Sequence, residues 1–277
     1  MRAALIQLCS GDDPAANLVA TEALVRKAAA GGATLALTPE CTNIVSSSRS
    51  LQARVLRTEE TDTTLARLSE VAGALGIWLL VGSLCLKGGG EDGRFVNRSF
   101  LIGPEGKVRA RYDKIHMFDV DVGGAESYRE SAAYRPGERA VIVEAGDVRL
   151  GMTICYDMRF PHLYRDLARA GASVIAVPAA FTVPTGEAHW HVLLRARAIE
   201  AGAFVLAPAQ SGSHAASEGR ARATYGHSLA VDPWGRVIAD AGEGPGVTFV
   251  EFDPAEAAEA RRRIPALGHD RAYQPPA

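Results

Sequence analysis

The sequence has no C-x-x-C pair and only four cysteines, Cys9, Cys41, Cys85 and Cys155, scattered over 277 residues. That spacing argues against a disulfide framework and a structural zinc site, and it fits a reducing compartment such as the cytoplasm. There is no long basic block and the net charge is −2, so neither nucleic acid nor an anionic membrane surface is expected as a partner. No stretch approaches about 20 consecutive apolar residues, so no membrane span is expected. The opening MRAALIQL meets polar Ser10-Gly11-Asp12-Asp13. It is too short for the apolar region of a signal peptide and is expected to be a strand. Nucleotide-binding glycine loops are missing as well. The one dense run, Gly88-Gly89-Gly90, does not match G-x-G-x-x-G and opens no helix. A soluble, cytoplasmic protein acting on a small molecule is what these absences leave.

What is present is a large apolar fraction, 47%, enough to bury a core without a disulfide or metal staple. Residues 3–8 read as a buried strand. Residues 17–30 carry apolar positions at helical spacing, with Asn17 as a possible cap and Gly31-Gly32 as the stop. Residues 34–37 follow as a strand, which makes a β-α-β unit with a right-handed crossover. A helix is expected at 59–74, and strands at 77–83, 94–102 and 108–112. The segment 116–135 is polar and weakly periodic and reads as a long loop over a site. Strands at 140–143 and 148–154, a helix at 163–170 and a strand at 173–177 come next. A helix at 187–201 and a strand at 204–207 follow. A hairpin turns at Asp232-Pro233-Trp234-Gly235. A strand at 247–252, a helix at 255–263 and the tail Gln274-Pro275-Pro276 complete the chain. Alternating strands and helices with hairpins between them give a layered α/β domain with mixed sheets. No linker or internal repeat divides residues 1–277, which read as a single domain.

The stretch 148–161, VRLGMTICYDMRFP, is a buried strand that stops at a cysteine and turns into a helix. Backbone N–H groups and the helix dipole there would stabilise a thiolate and an oxyanion. A buried structural cysteine is the competing reading of Cys155. Glu40 follows Pro39 at the end of a strand, where α/β folds build sites; a solvated loop carboxylate is the plainer alternative. Lys114 sits just past a strand in Tyr112-Asp113-Lys114-Ile115-His116, and a surface pair with Asp113 would explain it as well. Glu130 is a further charged residue on the long loop. His116, His189, His191 and His227 could serve a thiol as base, but none has a local context that singles it out. His189 and His191, two apart on a helix, point in different directions and make a poor metal pair. Trp190 and Trp234 read as core and turn packing.

Taken together, Pro39-Glu40, Tyr112-Asp113-Lys114-Ile115-His116 and Cys155-Tyr156-Asp157-Met158-Arg159-Phe160-Pro161 resemble the nitrilase superfamily of carbon–nitrogen hydrolases over nearly the whole chain. Within it the likeness is to the Nit branch, through Ala188-His189-Trp190, Leu193 to Glu200, and Tyr225-Gly226-His227-Ser228. The stretch 209–214 looks more like the amidases of deaminated glutathione than the ω-amidases. The resemblance implies a four-layer αββα sandwich with two mixed β-sheets, a Glu40-Lys114-Cys155 triad with Glu130 beside it, and no metal or organic cofactor. It implies hydrolysis of a primary amide of a small carboxylate-bearing substrate through a thioester. An ω-amidase acting on α-ketoglutaramate or α-ketosuccinamate, another nitrilase-family amidase and a carbamoylase are the alternatives. In this scheme Glu40 is the base and Lys114 with the N–H of Tyr156 holds the oxyanion. A partly dry pocket would raise the pKa of Glu40 toward neutrality, and Lys114 would pull it down. Arg159 is the candidate partner of a substrate carboxylate, because its planar fork matches one; a structural ion pair with a neighbouring strand is the competing reading. Phe181 and Thr185 are further pocket candidates. The family habit implies a homodimer or higher homo-oligomer, with the tail at about 264–277 near an interface.

Overall fold

Two six-stranded mixed sheets lie face to face in the computed structural model, which describes residues 1–90, 92–121, 127–274 and 276. The first sheet runs in the order Gly246–Glu251, Arg2–Gln7, Leu35–Leu37, Trp78–Lys87, Phe95–Ile102, Val108–Asp113. Its three middle members at Arg2–Gln7, Leu35–Leu37 and Trp78–Lys87 are parallel, and the outer ones pair antiparallel. The second sheet runs Val237–Asp240, Leu229–Val231, Phe204–Ala207, Val174–Ala176, Val148–Met152, Val141–Ala145.

Both faces of the first sheet are covered, and the sequence shows why. Successive side chains alternate between faces. Ala3 and Leu5 point to the core between the sheets, with Leu80, Leu101, Leu150, Met152 and Ile175. Ala4 and Ile6 point outward to Val25, Leu65, Leu68 and Val71. A strand buried on both sides therefore reads as an unbroken apolar run. The outer helices are Pro14–Ala30 and Thr63–Leu75. On the far side of the second sheet, the helices Pro161–Arg169 and Val183–Ala201 contribute Leu163, Leu167, Trp190 and Leu194 to the central cluster. The helix–sheet–sheet–helix layering matches the expected sandwich.

Several boundaries moved. The first helix starts at Pro14, capped by Asp13, whose side chain accepts from the Ala15 and Ala16 N–H groups. Asn17, expected as the cap, lies inside the helix and is buried. It donates to the Gly11 and Asn43 carbonyls and accepts from the Gly11 N–H. Residues 59–74 split into a 3-10 turn, Glu59–Thr61, and a helix capped by Asp62. The helix expected from 187 begins at Val183, because Pro184 falls in its first turn where a missing N–H is harmless. Three elements went unread: the helix Arg49–Val55 and the paired strands Ser211–His214 and Arg222–Tyr225. The expected long loop holds two short paired strands, Asp119–Asp121 and Ser127–Arg129, then a 3-10 turn at Glu130–Ala132. Its centre, 122–126, lies outside the described residues, as does Pro275 of the tail. The hairpin at Asp232 and the last helix, Ala255–Arg263, fall as expected.

Candidate active site

Glu40 stands three residues beyond Leu35–Leu37, and Lys114 one residue beyond Val108–Asp113. Both come from the first sheet. Cys155 follows Val148–Met152 of the second sheet and opens a 3-10 turn, Cys155–Arg159. Glu130 opens the turn that ends the loop. The face-to-face sheets bring all four to one cavity of about 380 Å³.

The polar contacts are continuous. Lys114 Nζ donates to Glu40 Oε1 at 2.9 Å and to both Glu130 oxygens at 3.0 and 2.8 Å. The Cys155 thiol lines the same cavity as Glu40, close enough for each to bear on the other's protonation. The Ala180 N–H holds Glu40 Oε2 at 3.0 Å, and Asn97 Nδ2 donates to Glu40 Oε1 at 2.9 Å. The Phe118 N–H donates to Glu130 Oε2 at 2.6 Å, which fixes the loop glutamate. Lys114 is 2% exposed and Glu40 4%. Charges so buried persist only when paired and fully hydrogen-bonded.

Burial alone would raise the Glu40 pKa. The Lys114 charge and hydrogen bond, the Cys155 thiol and the Arg222 charge outweigh it, and the group is held below the ordinary carboxylate value. The competition between a dry pocket and Lys114 is thus decided for Lys114. Burial, then the Glu40 charge, push the Cys155 thiol well above its ordinary value, with Lys114 opposing. For Lys114, burial favours the neutral amine, but Glu130, Glu40 and Cys155 hold the ammonium well above the usual lysine value. The resting charge state is carboxylate, ammonium and neutral thiol.

Backbone strain marks the same place. Cys155 and Cys41, the residue after Glu40, are two of the three non-glycine residues at positive φ among those described, at 48° and 57°. Such conformations persist where the surroundings over-determine them. For Cys155 the determinant is Asp157, which is fully buried. It accepts from Tyr112 Oη at 2.6 Å, the Ile154 N–H at 2.9 Å and the His116 N–H at 3.0 Å. For Cys41 it is Gln210, whose Nε2 donates to the Glu40 and Cys41 carbonyls. Gly82 passes beneath. A Cβ there would lie 1.9 Å from the Thr38 carbonyl oxygen and 2.7 Å from that of Pro39.

Tyr156, Phe181 and Thr185 line the cavity. Thr185 lies in the first turn of its helix, with its hydroxyl 2.8 Å from that of Thr182. Arg159 does not line it. Its guanidinium sits 3.3 Å from His189 Nδ1 and over the rings of Tyr156 and Phe181. None of the four candidate histidines lines the cavity either. The His116 ring lies 2.7 Å from Asp157 and stacks on Phe160. His191 and His227 both bond Asp240, and these three form a cluster away from the cavity. Asn97, Gln210 and Arg222 were not picked out as site residues. The one signal for Asn97 was a buried-type polar residue inside the apolar strand FVNRSFLI.

Cys155, Glu40 and Lys114 thus line one cavity whose described lining holds no histidine. The chain belongs to the carbon–nitrogen hydrolase family, whose model matches residues 2–262. It is therefore an amide-hydrolysing enzyme of the nitrilase superfamily. Among its relatives, the deaminated glutathione amidase of Yersinia enterocolitica is 40% identical over 97% of this chain and 92% of its own length. The solved structure of the Caenorhabditis elegans NitFhit protein superposes with a TM-score of 0.88 at 33% identity. It covers 98% of this chain and 65% of that one. A mutant amidase from Nesterenkonia sp. AN1, solved with acrylamide added at its active site cysteine, has a TM-score of 0.76 at 27% identity. It covers 95% of this chain and 98% of that one. Among the described residues no helix is long and apolar enough to cross a membrane.

Proposed function

We propose that the chain hydrolyses the γ-amide of deaminated glutathione, or the terminal amide of a closely similar carboxylate-bearing substrate, through a Cys155 thioester. The supporting observation is Cys155 in one cavity with the hydrogen-bonded run Glu40, Lys114, Glu130. The substrate class comes from the relatives, among them the human and Yersinia deaminated glutathione amidases.

Glu40 accepts the thiol proton as sulfur attacks the amide carbon. With the thiol pKa raised and that of Glu40 lowered, no free thiolate accumulates; proton transfer and attack occur together. Lys114 and the Tyr156 N–H hold the oxyanion as it forms. Glu40 then delivers the proton to the leaving nitrogen, which departs as the free amine (cysteinylglycine from deaminated glutathione, ammonia from a primary amide) and leaves the thioester. Water, deprotonated by Glu40, attacks the thioester carbon; the acid is released, and the proton returns to sulfur. The thioester divides one hard step into two easier ones. Glu130 acts through Lys114, as a positioning residue.

The chain works as one hydrolase domain in the cytoplasm, as a homodimer. Support for the dimer is an exposed apolar strip: Val192 and Ile199 of one helix, Trp234 and Ile238 of the hairpin, and Ile264 at the start of the tail. Ile199 packs near Gly235, and Arg263 lies over Trp234, so the strip is continuous there.

The test is Cys155→Ala with deaminated glutathione as substrate. Release of cysteinylglycine stops, and intact mass detects no acyl-enzyme. A Cys155→Ala protein that releases cysteinylglycine at the wild-type rate would refute the assignment.

A further inference from the structure

The charges around the cavity do not cancel. Among the described residues, Glu40 and Glu130 face Lys114, Arg49, Arg129, Arg220 and Arg222. Such a wall attracts an anionic ligand. Three of these arginines are exposed at the rim, and Arg222 alone is half-buried. It is held in register with the wall of the site. Its strand, Arg222–Tyr225, bridges Thr182 through Thr224, and the Tyr225 N–H donates to the Phe181 carbonyl at 3.0 Å.

Arg222 reaches toward the reacting groups. One terminal nitrogen donates to the Ala180 carbonyl, and the N–H of that same residue holds Glu40. The guanidinium lies 5.7 Å from the Tyr128 ring centroid. Its Nε is buried and has no hydrogen-bond partner among the described residues. A buried donor left unpaired is destabilising, and it is rare unless something else satisfies it. The resting guanidinium is therefore held by protein on one side and unsaturated on another, at the wall of a cavity already rich in positive charge. A carboxylate is the ligand that a guanidinium fork matches best. Arg159, the arginine nearest the nucleophile in sequence, stacks on Tyr156 and Phe181 without lining the cavity.

We propose that Arg222, rather than Arg159, binds the substrate carboxylate nearest the scissile amide and so makes the enzyme prefer anionic over neutral amides of equal length. This rests on reading the chain as a Cys155 amidase.

The experiment compares glutaramate with its neutral counterpart pentanamide, following ammonia release by the wild type, Arg222→Gln, Arg222→Lys and Arg159→Gln. Arg222→Gln lowers the glutaramate-to-pentanamide ratio of kcat/KM by about 10–100-fold, through the KM for glutaramate. Arg222→Lys keeps the charge and lies between Gln and the wild type, which also covers the case in which the glutamine variant does not fold. Arg159→Gln leaves the ratio as in the wild type. An equal loss on both amides after Arg222→Gln would show that Arg222 only props up Ala180 and Glu40, and it would overturn the assignment. So would a selective loss in Arg159→Gln. A folded wild type that hydrolyses neither amide and releases no cysteinylglycine from deaminated glutathione overturns the amidase reading itself, and with it this inference.

Discussion

Acid should weaken this fold through one histidine, His214. Its ring is buried, with Nδ1 2.7 Å from the Ser10 carbonyl oxygen and Nε2 2.7 Å from Thr224 Oγ1. Burial, aided by the Arg222 charge and opposed by the Ser10 bond, lowers its pKa from 6.5 to about 4. In the unfolded chain the ring takes up a proton near 6.5; in the folded chain it does so only near 4. Between those values the unfolded state binds more protons, so stability falls as pH falls and the slope ends below about 4. Each pKa unit is worth about 1.4 kcal/mol, so the full loss is about 3 kcal/mol, of which about 2 kcal/mol is reached by pH 5. The assay is urea denaturation of the wild type and of His214→Gln at pH 7, 6, 5 and 4.5. Carboxylate titrations shared by the two proteins cancel in the difference. The wild-type curve should fall more steeply toward acid by these amounts. Parallel curves would refute the reasoning. His214 pairs with Arg222 across two strands, so its protonation also sets a second cation beside the proposed carboxylate site.

Three further outcomes are expected. Glu130→Gln, which takes away one of the charges neutralising Lys114, should lower kcat about 10–100-fold; its KM and circular dichroism stay close to wild type, and a kcat within twofold of wild type would count against the positioning role. Because the Cys155 thiol is pushed up, iodoacetamide labelling of its peptide should accelerate only above the ordinary thiol range; a plateau already reached at pH 6 would mean a preformed thiolate. Gly82→Ala forces a methyl against the Thr38 and Pro39 carbonyls. It should cost about 1–3 kcal/mol or more in chemical denaturation, with loss of activity as Glu40 moves; an unchanged denaturation midpoint would refute the close approach.

The sequence by itself determined the elements whose information is local. Apolar runs such as AALIQL and SVIAV read as strands covered on both faces because they are short and bounded by turn residues. The turn Asp232-Pro233-Trp234-Gly235 and the strand–cysteine–turn at Cys155 were legible for the same reason: their chemistry lies in adjacent residues. Where two local signals competed, the boundary slipped. Asp13 took the cap from Asn17 because Asn17 was needed to tie Gly11 to Asn43. The strands Ser211–His214 and Arg222–Tyr225 were missed because they are short and polar and lie outside the two large sheets. Glu40, Lys114 and Cys155 could be named from their motifs, but their protonation could not. That depends on contacts between segments far apart in the chain, Lys114 against Glu40 and Glu130, and on the burial of Glu40, Lys114 and Cys155. Tertiary structure alone also separated the two arginines. Arg159 is fixed near the nucleophile by sequence yet stacks on Tyr156 and Phe181 without lining the cavity. Arg222 is 67 residues from Cys155 in the chain. It reaches the cavity because its strand pairs with the segment that carries Ala180, Phe181 and Thr182. Long-range pairing of that kind has no signature in neighbouring residues, and it is what sets the charge of the pocket.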